Sequence, residues 1–429
     1  MIIITENSGA AVMKIKNKDL SYEEVLKLPE QKHQKPLKPS RALHLLVKNL
    51  SRLDLKDTNF TWTSSGMEKL GKKEPALFLM NHSSFIDLKI AFTILYPRPF
   101  SVVCTSDGFV GKEGLMRRLG CIPTSKFVSD PVLVRDMIYA SRELGSSILM
   151  YPEASYSFDG TATPLPKTLA KCLKLLKLPV VMIKTEGAFT RDPLYNGLRL
   201  RKVKVSAHMS YLLSAQDIAE KSPDELNAIL KEQFTFDNWR WQQENELVID
   251  EPWRAADLNR VLYKCPACGK EGCMEGKRTE ITCKACGKTW ELTETGYLRA
   301  RDGEDIFDHV PDWYAWEREC VRKELEDGTY KLDIPVKISV LKDTKCLYNV
   351  GEGRLVHTKD GFNLTGCDGA LDYSQKPQAS YSLYSDYFWY EIGDMICIGT
   401  TKMLYYCFPK EGGDVVAKTR LAAEELYKM

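Results

Sequence analysis

A histidine and an aspartate, His82 and Asp87, are the two side chains of this sequence best suited to proton transfer. They follow residues 76–80, an apolar run of the length expected for a buried strand. A neutral imidazole accepts a proton near neutral pH, because its usual pKa is about 6.5. If the carboxylate accepts a hydrogen bond from one ring nitrogen, the other nitrogen is left basic. The pair therefore predicts a base that deprotonates a hydroxyl as it attacks an ester or a thioester.

The same spacing also fits a core histidine or a capping histidine. Neither a G-x-S-x-G elbow nor a papain-type cysteine motif lies near the pair. This favours direct transfer to the attacking hydroxyl over a covalent acyl-enzyme.

Four stretches of the chain resemble the motifs of the glycerolipid acyltransferases, the lysophosphatidate (1-acylglycerol-3-phosphate) acyltransferase family, in that family's order and spacing. They are Asn-His-x4-Asp at 81–87, Gly-Cys-Ile-Pro-Thr-Ser-Lys at 120–126, Tyr-Pro-Glu-Ala-Ser-Tyr-Ser at 151–157 and Leu-Pro-Val-Val-Met-Ile at 178–183. The resemblance covers about residues 41–245. It implies an α/β fold, a layered sheet with flanking helices, and transfer of a fatty acyl group from acyl-CoA or acyl carrier protein to a lysophospholipid-like acceptor.

The resemblance also implies roles for individual residues. His82 would be the general base and Asp87 the group that orients it, while Glu153, Lys126 and Ser155 would contact the acceptor. The family usually has arginine where this chain has Lys126 and Tyr156. Lysine keeps the charge but loses the planar fork for a phosphate, and tyrosine has no charge. We therefore expect a lysophosphatidate-like acceptor by default and leave open a different head group or a non-phosphorylated alcohol.

Two cations just after the fourth motif, Lys184 and Arg191, are available to replace the missing charge. The alternative is that both are ordinary surface residues. Two other functions stay open for the domain as a whole. One is a non-catalytic lipid-binding adaptor, which the loss of the third-motif arginine favours. The other is a thioesterase that uses water as the acceptor.

The 13 cysteines do not suggest a secreted disulfide framework and favour a reducing, cytoplasmic compartment, while the resemblance implies a protein that is peripheral to the inner face of the membrane. The net charge of +2 gives no overall bias toward nucleic acid. No run approaches the ~20 apolar residues that cross a bilayer, and the first residues lack the basic region of a signal peptide. A helix is predicted from Ser40, with apolar residues on one face and four basic residues at intervals of four: His44, Lys48, Arg52 and Lys56. Such a helix suits a membrane surface or packing on the catalytic domain.

Two C-x2-C pairs, Cys265 with Cys268 and Cys283 with Cys286, predict a structural zinc site in a zinc ribbon over residues 258–300. Four thiolates close the coordination shell, so the site would have no catalytic position, and we expect no catalytic cofactor. Rubredoxin-like iron is the main alternative. The surrounding residues are too poor in basic and aromatic side chains to indicate nucleic-acid binding.

The chain divides into four predicted segments. Residues 1–40 are a polar N-terminal linker, 41–250 the acyltransferase domain, 258–300 the zinc ribbon and 333–429 a β-rich domain. In the last of these, about seven short alternating runs precede a C-terminal helix beginning after Asp414. This order of elements resembles a PH/GRAM-like domain. Within the catalytic domain, residues 198–208 are predicted to form a late strand.

Overall fold

The computed structural model describes residues 14–410 and 414–429. The first thirteen residues of the predicted linker therefore lie outside the described residues. Residues 14–40 contain a strand, β1 (Asn17–Asp19), and a helix, α1 (Tyr22–Lys27). Strand β1 pairs in parallel with residues 347–349 near the other end of the chain. Helix α1 begins at a capping box of Ser21 and Glu24 and buries Tyr22 and Val25. This segment is thus anchored to the C-terminal part of the protein.

The acyltransferase region contains a seven-stranded sheet with helices on both faces. Its predicted α/β class is confirmed. The strands are β2 (Thr61–Ser65), β3 (Leu77–Met80), β4 (Phe100–Thr105), β5 (Cys121–Thr124), β6 (Ser147–Met150), β7 (Val180–Glu186) and β8 (Ser206–Leu213). The helices are α2 (Arg41–Asp57), α3 (Ile86–Leu95), α4 (Glu113–Arg118), α5 (Pro131–Arg142), α6 (Leu169–Leu176), α7 (Ala188–Arg191), α8 (Ala215–Glu220), α9 (Pro223–Gln233) and α10 (Asn238–Glu244).

The strand order is β2-β8-β7-β3-β6-β4-β5, and the five strands from β7 to β5 run parallel. Strand β8 runs antiparallel to β7. Alternate residues of central strand β3 enter separate cores, Phe78 and Met80 on one face and Leu77 and Leu79 on the other. Because parallel strands end at the same edge, the loops after β3, β5, β6 and β7 meet there.

The prediction of a strand from residue 198 was wrong for residues 198–205, since β8 begins at Ser206. The backbone bonds of this stretch go to several different segments and do not form a ladder with one partner strand, apart from Val205 at its end, which bonds to Thr58 and Thr61. The Arg201 amide donates to the carbonyl of Arg191 at 2.8 Å, and the Val203 amide donates to that of Arg201 at 3.0 Å. The alternation of apolar and polar residues therefore reflects burial of Val203 and Val205 in a segment outside any strand.

The cysteine-rich region contains β9 (Met274–Lys277), β10 (Glu280–Cys283), β11 (Thr289–Leu292) and β12 (Leu298–Ala300), followed by a long helix, α11 (Val310–Glu326). The four strands form an antiparallel sheet in the order β12-β11-β10-β9. Helix α11 packs on this sheet through Trp313, whose ring centroid lies 4.9 Å from that of Trp290.

The C-terminal region contains β13 (Leu332–Leu341), β14 (Leu347–Thr358), β15 (Gly361–Gly366), β16 (Leu371–Gln375), β17 (Tyr384–Trp389), β18 (Gly393–Thr400), β19 (Met403–Pro409) and α12 (Val415–Lys428). The strand order is β16-β15-β14-β13-β19-β18-β17, and neighbours on this path are antiparallel. The terminal helix α12 packs against β17 and β18. The Asp414 side chain does not cap α12, and its carboxylate accepts hydrogen bonds from Asn259. The PH/GRAM-like interpretation stays a prediction.

One hydrophobic core continues through the cysteine-rich and C-terminal regions and includes Phe158, Phe189 and Trp239 of the acyltransferase region. Across residues 14–410 and 414–429, no helix has the length and apolar character needed to span a bilayer.

Candidate active site

The loop after β3 is fixed to the neighbouring strand β7 by a buried asparagine. Asn81 Oδ1 accepts from the backbone amide of Thr185 at 2.8 Å and from its hydroxyl at 3.1 Å. The Asn81 side-chain amide donates to the Thr185 carbonyl at 3.2 Å. These bonds hold the chain at the carboxyl end of the sheet immediately before His82. The asparagine of the first motif therefore fixes the backbone position from which His82 projects.

His82 and Asp87 face each other across the start of α3. The distance from His82 Nδ1 to Asp87 Oδ2 is 3.3 Å, and the carboxylate is fully buried. The same oxygen accepts from the backbone amides of Ser83 at 2.7 Å and Ser84 at 3.0 Å. Because an ionised carboxylate only accepts hydrogen bonds, it selects the tautomer with the proton on Nδ1. Nε2 is then the basic nitrogen of His82.

Burial lowers the pKa of His82, and the hydrogen bond and charge of Asp87 oppose that effect. The positive charge of Lys126 lowers this pKa further. The imidazole is thus neutral at neutral pH, as a general base requires. Its side chain retains 17 % of its exposure, so the ring is accessible from the edge of the sheet.

Two tyrosine rings pack against the imidazole, a contact that no pattern in the sequence indicates. The ring centroids of Tyr151 and Tyr156 both lie 4.2 Å from that of His82. Tyr156 also contacts Phe85, whose ring centroid is 5.2 Å away. Tyr156 stands at the position where the family usually has the third-motif arginine, and its side chain therefore packs against the His82 imidazole. The sequence shows that the third motif contains aromatic residues. That these residues face His82 depends on the turn after β6.

Glu153 lies fully buried beneath the loop that carries His82. Its Oε2 accepts from the His82 backbone amide at 2.9 Å. Its Oε1 accepts from the Thr163 amide at 2.8 Å and from the Thr163 hydroxyl at 3.2 Å. Burial raises the pKa of Glu153 to about 7, against the lowering effect of these hydrogen bonds. In this position the carboxylate joins the first and third motifs.

Ser155 is also buried, and its hydroxyl donates to the carbonyl of Tyr156 at 3.3 Å. Glu153 and Ser155 were predicted to contact the acceptor. Their hydrogen bonds lie within the loops that form the site, so any contact with an acceptor stays a prediction.

Lys126 follows β5 and lies where the acyltransferase and C-terminal regions meet. Its Nζ is 4.2 Å from the centroid of the Tyr384 ring in β17. The Tyr384 hydroxyl donates to Asp107 Oδ2 at 2.6 Å, and the Tyr406 hydroxyl donates to the same oxygen at 3.2 Å. Burial lowers the pKa of Lys126, and the charges of Asp107 and Asp386 oppose that effect.

The two cations after the fourth motif occupy different positions. Thr185 of β7 faces Asn81 and Asp87, with its hydroxyl 3.4 Å from Asp87 Oδ1. Successive strand residues point to opposite faces, so Lys184 lies on the other face of the sheet. Arg191 is buried and forms an ion pair with Asp192 at 3.4 Å.

The four predicted metal ligands come together at the tips of the cysteine-rich region. Their sulfur atoms all lie within 4.8 Å of one another, with Cys265 to Cys286 at 3.7 Å and Cys268 to Cys283 at 3.8 Å. Tetrahedral zinc with Zn–S bonds of about 2.3 Å requires sulfur atoms about 3.8 Å apart. The four cysteines therefore fit a tetrahedral metal ion. Cys273, between the two pairs, lies outside the cluster.

A protein-family model covers most of the residues of this site. Residues 62–184 match the Acyltransferase family model, which supports an acyltransferase domain in this part of the chain. Among solved structures, the chain is similar to the 1-acyl-sn-glycerophosphate (LPA) acyltransferase PlsC from Thermotoga maritima, with 15% sequence identity and a TM-score of 0.37. That similarity covers 45% of this chain and 78% of the other. A search of curated proteins finds no significant match.

Proposed function

We propose that the protein transfers a fatty acyl group from an acyl thioester, on coenzyme A or acyl carrier protein, to a hydroxyl of a lysophospholipid-like acceptor. The observation that carries the proposal is the contact of His82 Nδ1 with buried Asp87, within an acyltransferase-family domain. This contact leaves Nε2 free to act as the base. Glu153, Lys126 and Ser155, in the loops around His82, shape the acceptor side of the site.

The reaction proceeds by direct transfer. His82 Nε2 removes the proton of the acceptor hydroxyl while the oxygen attacks the thioester carbonyl carbon. The carbon–sulfur bond then breaks, and the thiolate leaves with the proton that the imidazolium returns. Asp87 stabilises the imidazolium between the two steps. General-base catalysis contributes roughly 10²–10⁴-fold, and alignment of the two substrates contributes more.

The test is an acyl-transfer assay on the purified chain. Labelled oleoyl-CoA and oleoyl-acyl carrier protein are each incubated with lysophospholipids and alcohols, and labelled products are identified by mass spectrometry. We expect esterified product from the wild type and a loss of roughly 10²–10⁴-fold in H82A. The matched control is H208A, which removes an exposed histidine of β8 that bonds to Thr63 and Ser65.

The other two functions give different results in this assay. Free fatty acid without esterified lipid, lost in H82A, identifies a thioesterase. Equal lipid binding by wild type and H82A, with turnover in neither, identifies a non-catalytic adaptor. Either result would contradict the proposed transfer.

We further propose that the protein works at a membrane surface, at its cytoplasmic inner face. Helix α2 supports this because four leucines are exposed beside the basic Lys48 and Arg52: Leu45, Leu46, Leu50 and Leu53. The metal held by the four cysteines is proposed to be zinc with a structural role, in a zinc ribbon, and iron is the alternative that metal analysis would identify.

A further inference from the structure

A general base such as His82 is able to activate two nucleophiles, a hydroxyl of the acceptor or water. In both reactions Nε2 takes a proton from the attacking oxygen, that oxygen bonds to the thioester carbonyl carbon, and the carbon–sulfur bond breaks. The thiol leaves with the returned proton in either case. An alcohol gives an ester, and water gives a free fatty acid. Because the base treats both oxygens alike, its surroundings have to distinguish them.

Aromatic rings pack against the imidazole of His82. The ring centroids of Tyr156 and Tyr151 each lie 4.2 Å from that of His82. Rings at this separation are in van der Waals contact, so no water molecule fits between them. Only 17% of the His82 side chain remains exposed. The rings therefore limit how water reaches the base.

A second aromatic ring lies outside Tyr156. The ring centroid of Phe85 is 5.2 Å from that of Tyr156, and Phe85 immediately precedes α3 in the loop that carries His82. Phe85 is 37% exposed and Leu88 is 40% exposed. Residues three apart at a helix start are neighbours on one side of the helix. Phe85, Leu88 and Tyr156 therefore form an apolar rim beside the base.

This apolar rim favours a lipid over water as the neighbour of His82. Exposed apolar surface is unfavourable in water and becomes favourable when an alkyl chain covers it. The arginine that is usual at the position of Tyr156 would act in the opposite way. A half-buried guanidinium keeps water or an anion beside it, because its charge has to be solvated or paired. The ring of half-buried Tyr156 requires neither.

We infer that Tyr156 and Phe85 are specificity-determining residues that keep water from the His82 imidazole and so direct the acyl group to an alcohol instead of to hydrolysis. The inference rests on the acyl transfer proposed above and concerns the choice of nucleophile in that reaction. Tyr156 forms the contact with the base, and Phe85 extends the apolar surface outward. An acceptor lipid covers the rim with its alkyl part while its hydroxyl reaches Nε2.

The test measures how labelled oleoyl-CoA is divided between ester and free oleate. The full-length protein is incubated in water labelled with heavy oxygen, with lysophosphatidate, lysophosphatidylcholine or monooleoylglycerol in micelles of one neutral detergent. Mass spectrometry quantifies the ester and the oleate that carries the heavy oxygen. The oleate formed with H82A is subtracted as hydrolysis that does not use this base. We expect the wild type to form more ester than oleate with at least one acceptor.

Three variants test the rings. Y156A removes the ring against the imidazole and should raise the ratio of oleate to ester at least about tenfold, the lower end of what one misplaced apolar group does to specificity. F85A removes the outer ring and should raise the ratio by a smaller factor. Y156F keeps the ring and should retain the wild-type ratio. The matched control is Y297A, at a half-buried tyrosine of the cysteine-rich region, which should also retain it.

The outcomes separate this inference from the proposed function. If the wild type forms no ester, acyl transfer is overturned and the inference with it. Ester from the wild type, with an unchanged ratio in Y156A and F85A, overturns the inference and leaves acyl transfer intact. A rise in Y156F or Y297A as large as that in Y156A overturns the role of the ring. Phe85 is partly exposed, so F85A should fold, and its ratio alone decides if Y156A does not fold.

Discussion

Two opposing effects set the basicity of His82. Removal from water disfavours the charged imidazolium, while the carboxylate of Asp87 favours it. Two backbone amides and Nδ1 of His82 point at one oxygen of the buried Asp87 carboxylate. The dyad is thus built by the first turn of α3, which delivers both the amides and the carboxylate.

The variant D87N tests the orientation of the imidazole. The asparagine amide cannot accept from all the donors that the carboxylate serves, so the tautomer with a proton on Nδ1 is no longer selected. We expect kcat to fall by roughly 10²–10⁴-fold, while KM for the acyl donor changes little. Steady-state kinetics measure the effect, and D224N, at an exposed aspartate of α9, is the control. Equal kcat in D87N and wild type would contradict the role of Asp87.

The pH dependence of turnover follows from the opposing effects of burial and of Asp87 on the pKa of His82. The base is active only when the imidazole is neutral, so activity falls as the pH drops through the pKa of His82. Because burial lowers that pKa below its usual 6.5, the acid limb of kcat/KM should have its midpoint below pH 6.5. A series of initial rates between about pH 4.5 and 8 checks this. An acid limb centred above pH 6.5 would contradict it.

At the residue scale, the first motif together with the three later motifs supported a contact between His82 and Asp87, although the spacing alone left a core or capping histidine open, and the structure has this contact. The motifs were not enough to orient Glu153, whose motif gives its position in the loop but not the direction of its side chain. That direction is decided by two amide donors, His82 and Thr163, which come from different loops. Packing between loops depends on tertiary structure. The contact of Tyr151 and Tyr156 with the His82 imidazole therefore could not be predicted from the sequence either.

At the scale of elements, the start of helix α2 could be predicted because it depends on local sequence. Its start was predicted from Ser40, and Ser40 is the N-cap, accepting from the Leu43 amide. The wrong prediction of a strand over residues 198–205 has a non-local cause. Buried and exposed side chains do alternate there, but tertiary structure decides whether a segment has a partner strand.

The exposed leucines of α2 give a prediction at this scale. Leu50 is 66% exposed and Leu53 73% exposed, three residues apart on one helix. Replacing both with glutamate removes apolar area and adds negative charge, so L50E/L53E should bind anionic vesicles at least about tenfold more weakly. Vesicle co-sedimentation measures the effect. The control is L175E, at a leucine of α6 that is 54% exposed.

Equal loss of vesicle binding in L50E/L53E and L175E would show a general effect of added charge and would contradict a membrane role for α2. Because the leucines are exposed, the thermal stability of both variants should match that of the wild type.

At the scale of the whole molecule, the C-terminal region lies against the loops of the active site. Tyr384 and Lys126 meet although 258 positions separate them in the sequence. No periodicity or local motif indicates such a contact. The separate segments could therefore be predicted from the sequence, but their arrangement relative to one another could not. The N-terminal strand β1 pairs with β14, which adds a strand from near the start of the chain to the sheet of the C-terminal region.

The cysteine-rich region connects these parts. Its loop carbonyls of Glu294 and Gly296 accept hydrogen bonds from Gln242 and Gln243 of α10. On its other side it packs on α11, which in turn pairs with α12 through Arg318 and Glu424 at 2.7 Å. A change that unfolds this region should therefore weaken contacts on both sides of it.

Removal of the metal tests whether the cysteine-rich region holds its neighbouring regions together. Cys283 is a buried member of the cluster, and C283S takes away one of its four sulfurs. Metal binding in small zinc modules contributes on the order of 10 kcal/mol, which is comparable to the whole stability of a domain. We expect C283S to lose its metal, to melt at a lower temperature and to be cleaved by protease within residues 258–300. C273S, which changes a cysteine outside the cluster, should keep one metal ion per chain. Elemental analysis, thermal melting and limited proteolysis provide the readouts, and a C283S variant as stable as C273S would show that the metal does not hold the regions together.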